Sequence, residues 1–96
     1  MKGFRWSPQA ATDLEETVDY LLEEWGEKSA QKFIDSLERL LKIIKKNPLL
    51  FPKSENYSNV HRCLVTKHNT LYYRIEKDEI IILSLWNNHR NPEEAP

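Results

Sequence analysis

The sequence predicts an α+β fold: a short N-terminal strand and a helical hairpin packed on a four-stranded antiparallel sheet, in the order β-α-α-β-β-β. Two observations carry this. Two apolar stripes at helical spacing are separated only by Gly26, and three strand-like segments joined by tight polar turns follow residue 60.

Phe4 and Trp6 alternate with Gly3 and Arg5, the pattern of a short strand. Ser7-Pro8 then opens a helix, since Ser caps the free N–H groups and Pro loses nothing in the first turn. Leu14, Val18, Leu21, Leu22 and Trp25 fall on one helical stripe, with Asp13, Glu15 and Glu16 towards the positive end of the helix dipole. Gly26 suits a helix C-cap because it tolerates positive φ. A second stripe runs through Ala30, Phe33, Ile34, Leu37, Leu40, Leu41 and Ile44, and Asn47-Pro48 stops it. So short a break implies an antiparallel helix pair, and both stripes need a third layer to cover them.

Residues 49–59 read as a loop returning to the sheet. Val60, Arg62, Leu64 and Thr66 alternate with His61, Cys63 and Val65; Leu71, Tyr73 and Ile75 alternate with Tyr72 and Arg74. Residues 80–86 are nearly all apolar, which predicts a central strand covered on both faces. Lys67-His68-Asn69 and Lys77-Asp78 are short enough to be hairpin turns. The first strand is expected beside the last, and residues 87–96 read as a polar tail.

A chain of 96 residues with 40% hydrophobic and 30% charged residues is one globular domain, 1–96, of marginal stability. A single cysteine, Cys63, allows no internal disulfide and fits a reducing compartment. No signal peptide or membrane span is apparent, so the expectation is a soluble cytoplasmic protein. The net charge of -1 conceals a division: the first helix is acidic, while residues 60–75 carry Arg62, Lys67 and Arg74 with His61 and His68, and no acid.

Familiar catalytic signatures are missing. Gly3 and Gly26 alone make no phosphate loop, and no nucleophile elbow is present. His61, Cys63, His68 and His89 match no standard zinc spacing, so neither metal nor cofactor is expected, and Cys63 reads as a small buried hydrophobe. The basic, aromatic sheet is the better candidate. Arg62, Lys67, His68, Tyr72, Arg74 and Arg90, with His89, come from neighbouring strands and their ends, where they suit nucleic acid or an acidic protein surface. Arg90 stands out because it follows a core strand.

In order, Phe4-Arg5-Trp6-Ser7-Pro8, Asp13-Leu14, Tyr20, Trp25-Gly26, Asn47-Pro48, Val60-His61-Arg62, Tyr72-Tyr73-Arg74-Ile75, the strand Ile80-Ile81-Ile82-Leu83 and Arg90-Asn91-Pro92 resemble the RelE/ParE family of bacterial toxin–antitoxin toxins over nearly the whole chain. The resemblance implies a toxin neutralised by a cognate antitoxin encoded beside it. RelE-like members cleave messenger RNA on the ribosome without metal, and ParE-like members poison DNA gyrase. Where RelE-like ribonucleases carry two lysines, this chain has His61 and Cys63; their next arginine falls on Thr70, their last on Arg90, and their C-terminal tyrosine on Pro96. A ribonuclease would lean on His61, Arg62, His89 and Arg90, which is a thin set for acid–base work and phosphate charge. Tyr73-Arg74 and Arg90-Asn91-Pro92 look more like the ParE-like branch, which needs a binding surface and no catalytic group. The expectation is a ParE-like gyrase inhibitor; the alternatives are a ribosome-dependent messenger RNA interferase and a non-toxic module that only binds its antitoxin.

Overall fold

A computed structural model of the chain describes residues 3–90 and 94–96. Strand β1 (Gly3–Trp6) leads into helix α1 (Pro8–Trp25) and helix α2 (Glu27–Lys46); strands β2 (His61–Thr66), β3 (Asn69–Glu76) and β4 (Glu79–Asn87) follow. The helix boundaries follow the local chemistry. Ser7 is extended and its Oγ accepts from the Ala10 N–H, with Pro8 in the first turn. Gly26 takes φ 90°, where a side chain is strained, and so separates the two helices in a single residue.

The sheet order is β1-β4-β3-β2. The first strand does lie beside the last, but the expected all-antiparallel sheet is corrected to a mixed one: β1 runs parallel to β4, from Gly3 beside Glu79 to Trp6 beside Ile82. The other two pairings are antiparallel. The reason is topological. A parallel pair needs a crossover connection, and the helical hairpin with residues 47–60 provides it. It returns the chain so that β2 starts in the sense of β1, and two tight hairpins leave β4 in that sense as well.

One face of the sheet meets the helices. Phe33, Leu37, Leu40 and Ile44 of α2 pack with Ala10, Cys63, Leu71, Tyr73, Ile80, Ile82 and Leu85. On the other face, Val60, Tyr72 and Trp86 are covered by Ala95. β4 is thus buried on both sides, as its apolar run predicts. The α1 stripe needs revision. Leu14, Val18 and Leu21 are half-buried, but Leu22 is exposed and Trp25 is 68% exposed, while the acidic Asp13 is buried.

Asp13 goes inward for a backbone reason. β1 ends at Trp6, so the edge of β4 beyond Ile82 has no strand beside it. The start of α1 supplies the missing partners. Ser7 N–H donates to Ile82 O at 2.9 Å and Ser7 Oγ to Leu83 O at 3.0 Å. The Asp13 carboxylate accepts from Leu85 N–H and Ser84 Oγ, each at 3.0 Å. Gln9 Nε2 donates to its other oxygen at 2.7 Å. Buried backbone groups must be paired, and here side chains continue a ladder that the strand has left.

Residues 47–60 are pinned from below by the sheet. Tyr73, fully buried, donates its hydroxyl to Pro48 O at 2.6 Å. His61 Nδ1 lies 2.9 Å from Phe51 O, and its ring stacks on Tyr73 at 5.2 Å. Among the described residues, no helix is long and apolar enough to cross a membrane.

Candidate functional site

The predicted residues divide into four locations. On the outer sheet face, Arg62 and Tyr72 are register partners on β2 and β3. With Trp86, Arg90 and Asn56 they line a shallow pocket of about 180 Å³. Arg62 is exposed and Tyr72 is buried. Burial raises the Tyr72 hydroxyl above the ordinary tyrosine range; the Arg62 guanidinium partly offsets this, and Glu55 adds to it. The phenol is therefore a neutral donor or acceptor. Arg90 lies 4.2 Å over the Trp86 ring, with its N–H bonded to Asn87 O at 3.0 Å.

The second location is the end of the sheet, where the β2–β3 turn meets the segment after β4. Asn88 holds them together. Its N–H donates to His68 O at 2.8 Å, its amide to Lys67 O at 3.1 Å, and Thr70 Oγ1 donates to its Oδ1 at 2.6 Å. His89 N–H is fixed on Asn87 Oδ1 at 2.9 Å. His68 and His89 consequently face each other, with Nδ1 and Nε2 3.3 Å apart. Both rings are exposed on the rim of a groove of about 670 Å³, whose walls include Tyr20, Trp25 and Phe33. Arg90 lines this groove and the outer pocket alike, so it sits on the ridge between them.

Arg74 forms the third location, towards the far end of β3, where it is matched by Glu76 at 2.9 Å. Exposed pairs of this kind contribute little to stability, but they neutralise the charge on offer. The fourth is the core. His61 is buried with its ring engaged, so it does not join Arg62, His89 and Arg90. Cys63 is buried beside it, and burial pushes its thiol up from 9.0 to about 12. At pH 8, iodoacetamide should leave the folded protein unmodified while alkylating the urea-unfolded chain; equal rates would contradict this placement. The unfolded thiol ionises first, so the Cys63 contribution to stability is full below 9.0 and is lost as the pH rises towards about 12.

Asn91 and Pro92, the rest of the motif after β4, lie outside the described residues. Two features were beyond sequence reasoning. Trp86 carries Arg90, although it reads as part of an apolar core run. The histidine pair joins positions 21 residues apart with no spacing signal.

Comparison with known proteins places this geometry. The family model described as the ParE toxin of the type II toxin–antitoxin system, parDE, matches residues 4–92. No curated protein matches the chain in sequence. Among solved structures, the chromosomal ParDE toxin–antitoxin system of P. aeruginosa is similar at TM-score 0.77 and 19% identity, over 91% of this chain and 96% of that one. A YoeB/ParE toxin from Agrobacterium tumefaciens aligns at TM-score 0.69 and 13% identity, covering 92% and 99%. A chain of the YoeB-YefM complex from Staphylococcus aureus aligns at TM-score 0.60 and 21% identity, covering 94% and 99%. At these identities the structural likeness is one of fold.

Proposed function

The chain belongs to the ParE toxin family of type II toxin–antitoxin systems, and from that premise we propose that it arrests growth by binding DNA gyrase, without chemistry of its own, and is silenced by a cognate antitoxin. One observation supports this reading above others: three of the positions where a ribonuclease would present its groups are committed to structure. His61 and Cys63 face the core, and Thr70 is buried on Asn88. Arg90 is the cation kept from that set, and it rests on an indole beside Arg62 and Tyr72. A planar cation backed by aromatic rings, with one exposed arginine next to it, suits an acidic protein surface. Lys67 extends this cationic rim at the β2–β3 turn, with the exposed His68 imidazole beside it. The complexes named for the S. aureus relative, a toxin with its YefM partner, support an antitoxin for this chain too.

The deciding experiment is a supercoiling assay with purified gyrase. Inhibition that tracks toxin concentration and is relieved by the co-expressed antitoxin is the expected result. Normal supercoiling at saturating protein sinks the reading.

A second reading, a ribosome-dependent messenger RNA interferase, is favoured by the exposed His68 and His89 imidazoles beside Arg90, which are groups able to move protons. Primer extension on translated messages after induction separates the two. Cut messages support the interferase, and intact messages during growth arrest exclude it.

A further inference from the structure

We infer that the end of the sheet is a two-histidine seat for a borderline divalent transition metal, held by His68 and His89 at the mouth of the groove. The nitrogens concerned, His68 Nδ1 and His89 Nε2, are 3.3 Å apart. Without a metal the two nitrogens are within hydrogen-bond reach of each other, one donating and the other accepting. Their separation equals the edge of a tetrahedral zinc site, because Zn–N bonds of about 2.0–2.1 Å put neighbouring ligand nitrogens about 3.3–3.4 Å apart. The ring centroids are 5.4 Å apart and tilted by 34°. A metal at the Zn–N bond length lies about 35° off the line between the nitrogens at each ring, so both exposed rings turn by that order to point their lone pairs at it.

The two main-chain positions that carry the pair are fixed, and the rings meet only each other. Asn88 ties the β2–β3 turn to the segment after β4 through His68 O, Lys67 O and Thr70 Oγ1, and Asn87 Oδ1 fixes the His89 N–H. Ordering the two ligands before the metal arrives lowers the entropy lost on binding. Imidazole suits copper, nickel and zinc better than magnesium or calcium. Charge nearby is mixed. Arg90 lines the groove, and so do Asp13 and Glu16 of α1. Among the described residues no third His, Cys, Asp or Glu completes the set, so the remaining coordination positions belong to water and open into the groove. Such a site binds more weakly than a closed structural one, and its open positions can take a carboxylate or imidazole from outside.

This inference stands apart from the choice of toxin target, because its readout is the metal itself. The full chain without an affinity tag is titrated with copper(II), nickel(II) and zinc(II) by calorimetry. One equivalent should bind, with copper tightest of the three. His68→Gln and His89→Gln should each weaken binding at least about tenfold, without moving the melting temperature of the metal-free protein, since both side chains are exposed. Cys63→Ser should bind as wild type. On the unaltered protein, zinc should shift the imidazole NMR signals of His68 and His89 and leave those of the buried His61 in place. No saturable binding, or wild-type affinity in the H68Q/H89Q double variant, overturns the inference.

Discussion

Replacing Asp13 by Ala should lower the unfolding free energy by about 3 kcal/mol. The carboxylate serves three donors: Leu85 N–H, Ser84 Oγ and Gln9 Nε2. Gln9 is exposed and turns to water without loss. Ser84 and Leu85 are 5% and 3% exposed, so their donors would be left in a dry site at about 1–3 kcal/mol each, partly relieved by a water entering the vacated space. A domain of this size has only about 5 kcal/mol in reserve. The variant should therefore melt roughly 12–24 °C lower and lose protection from amide exchange first at Leu85. Asp13→Asn keeps one acceptor for the Leu85 N–H and should lose about half as much. A melting point within about 3 °C of wild type for the Ala variant would mean that the carboxylate is not what joins α1 to β4.

This residue also shows what the sequence could and could not say. The helices were legible because apolar periodicity, Ser7-Pro8 and Gly26 are local signals that tertiary contacts do not contradict. β4 was legible because burial on both faces leaves no alternation to interrupt. The parallel pairing of β1 was not legible: Phe4 and Trp6 give a four-residue strand its face, but alternation carries no direction. Asp13 looks like one more acid on an acidic helix, since nothing local records that β1 stops at Trp6, opposite Ile82, and leaves the rest of the β4 edge without a strand. The site residues follow the same rule. Arg62 and Tyr72 could be placed together from strand register alone. Arg90 on Trp86 and His68 against His89 depend on how the chain leaves β4, and that depends on Asn88 bonding to a turn about twenty residues earlier. His61 lies on the face that the helices cover, and alternation gives two faces without saying which one that is.

On the proposed gyrase reading, Arg90→Ala should weaken inhibition by roughly 30-fold, equivalent to about 2 kcal/mol of target binding. The side chain is exposed, so folding should barely register the change: an exposed cation–π contact such as that with Trp86, at 4.2 Å, is worth about 0.5–1 kcal/mol. Loss of potency with a nearly unchanged melting curve is therefore the signature of a contact residue. Arg90→Lys tests what kind of contact it is. Lysine keeps the charge but not the flat guanidinium that lies on the indole and presents a fork to a carboxylate, so recovery should be partial. Arg74→Ala is the control for bulk charge. It removes the same unit of charge from a neighbouring strand, but Arg74 is already matched by Glu76 at 2.9 Å. Its potency should stay within about threefold of wild type if local contact and not net charge governs binding. Raising the salt concentration should narrow the gap between wild type and Arg90→Ala, because an exposed charge contact is screened within about 8–10 Å at moderate ionic strength. Equal losses in Arg90→Ala and Arg74→Ala would reduce the sheet surface to a diffuse positive field. Wild-type potency in Arg90→Ala would move the target surface away from the end of β4 altogether.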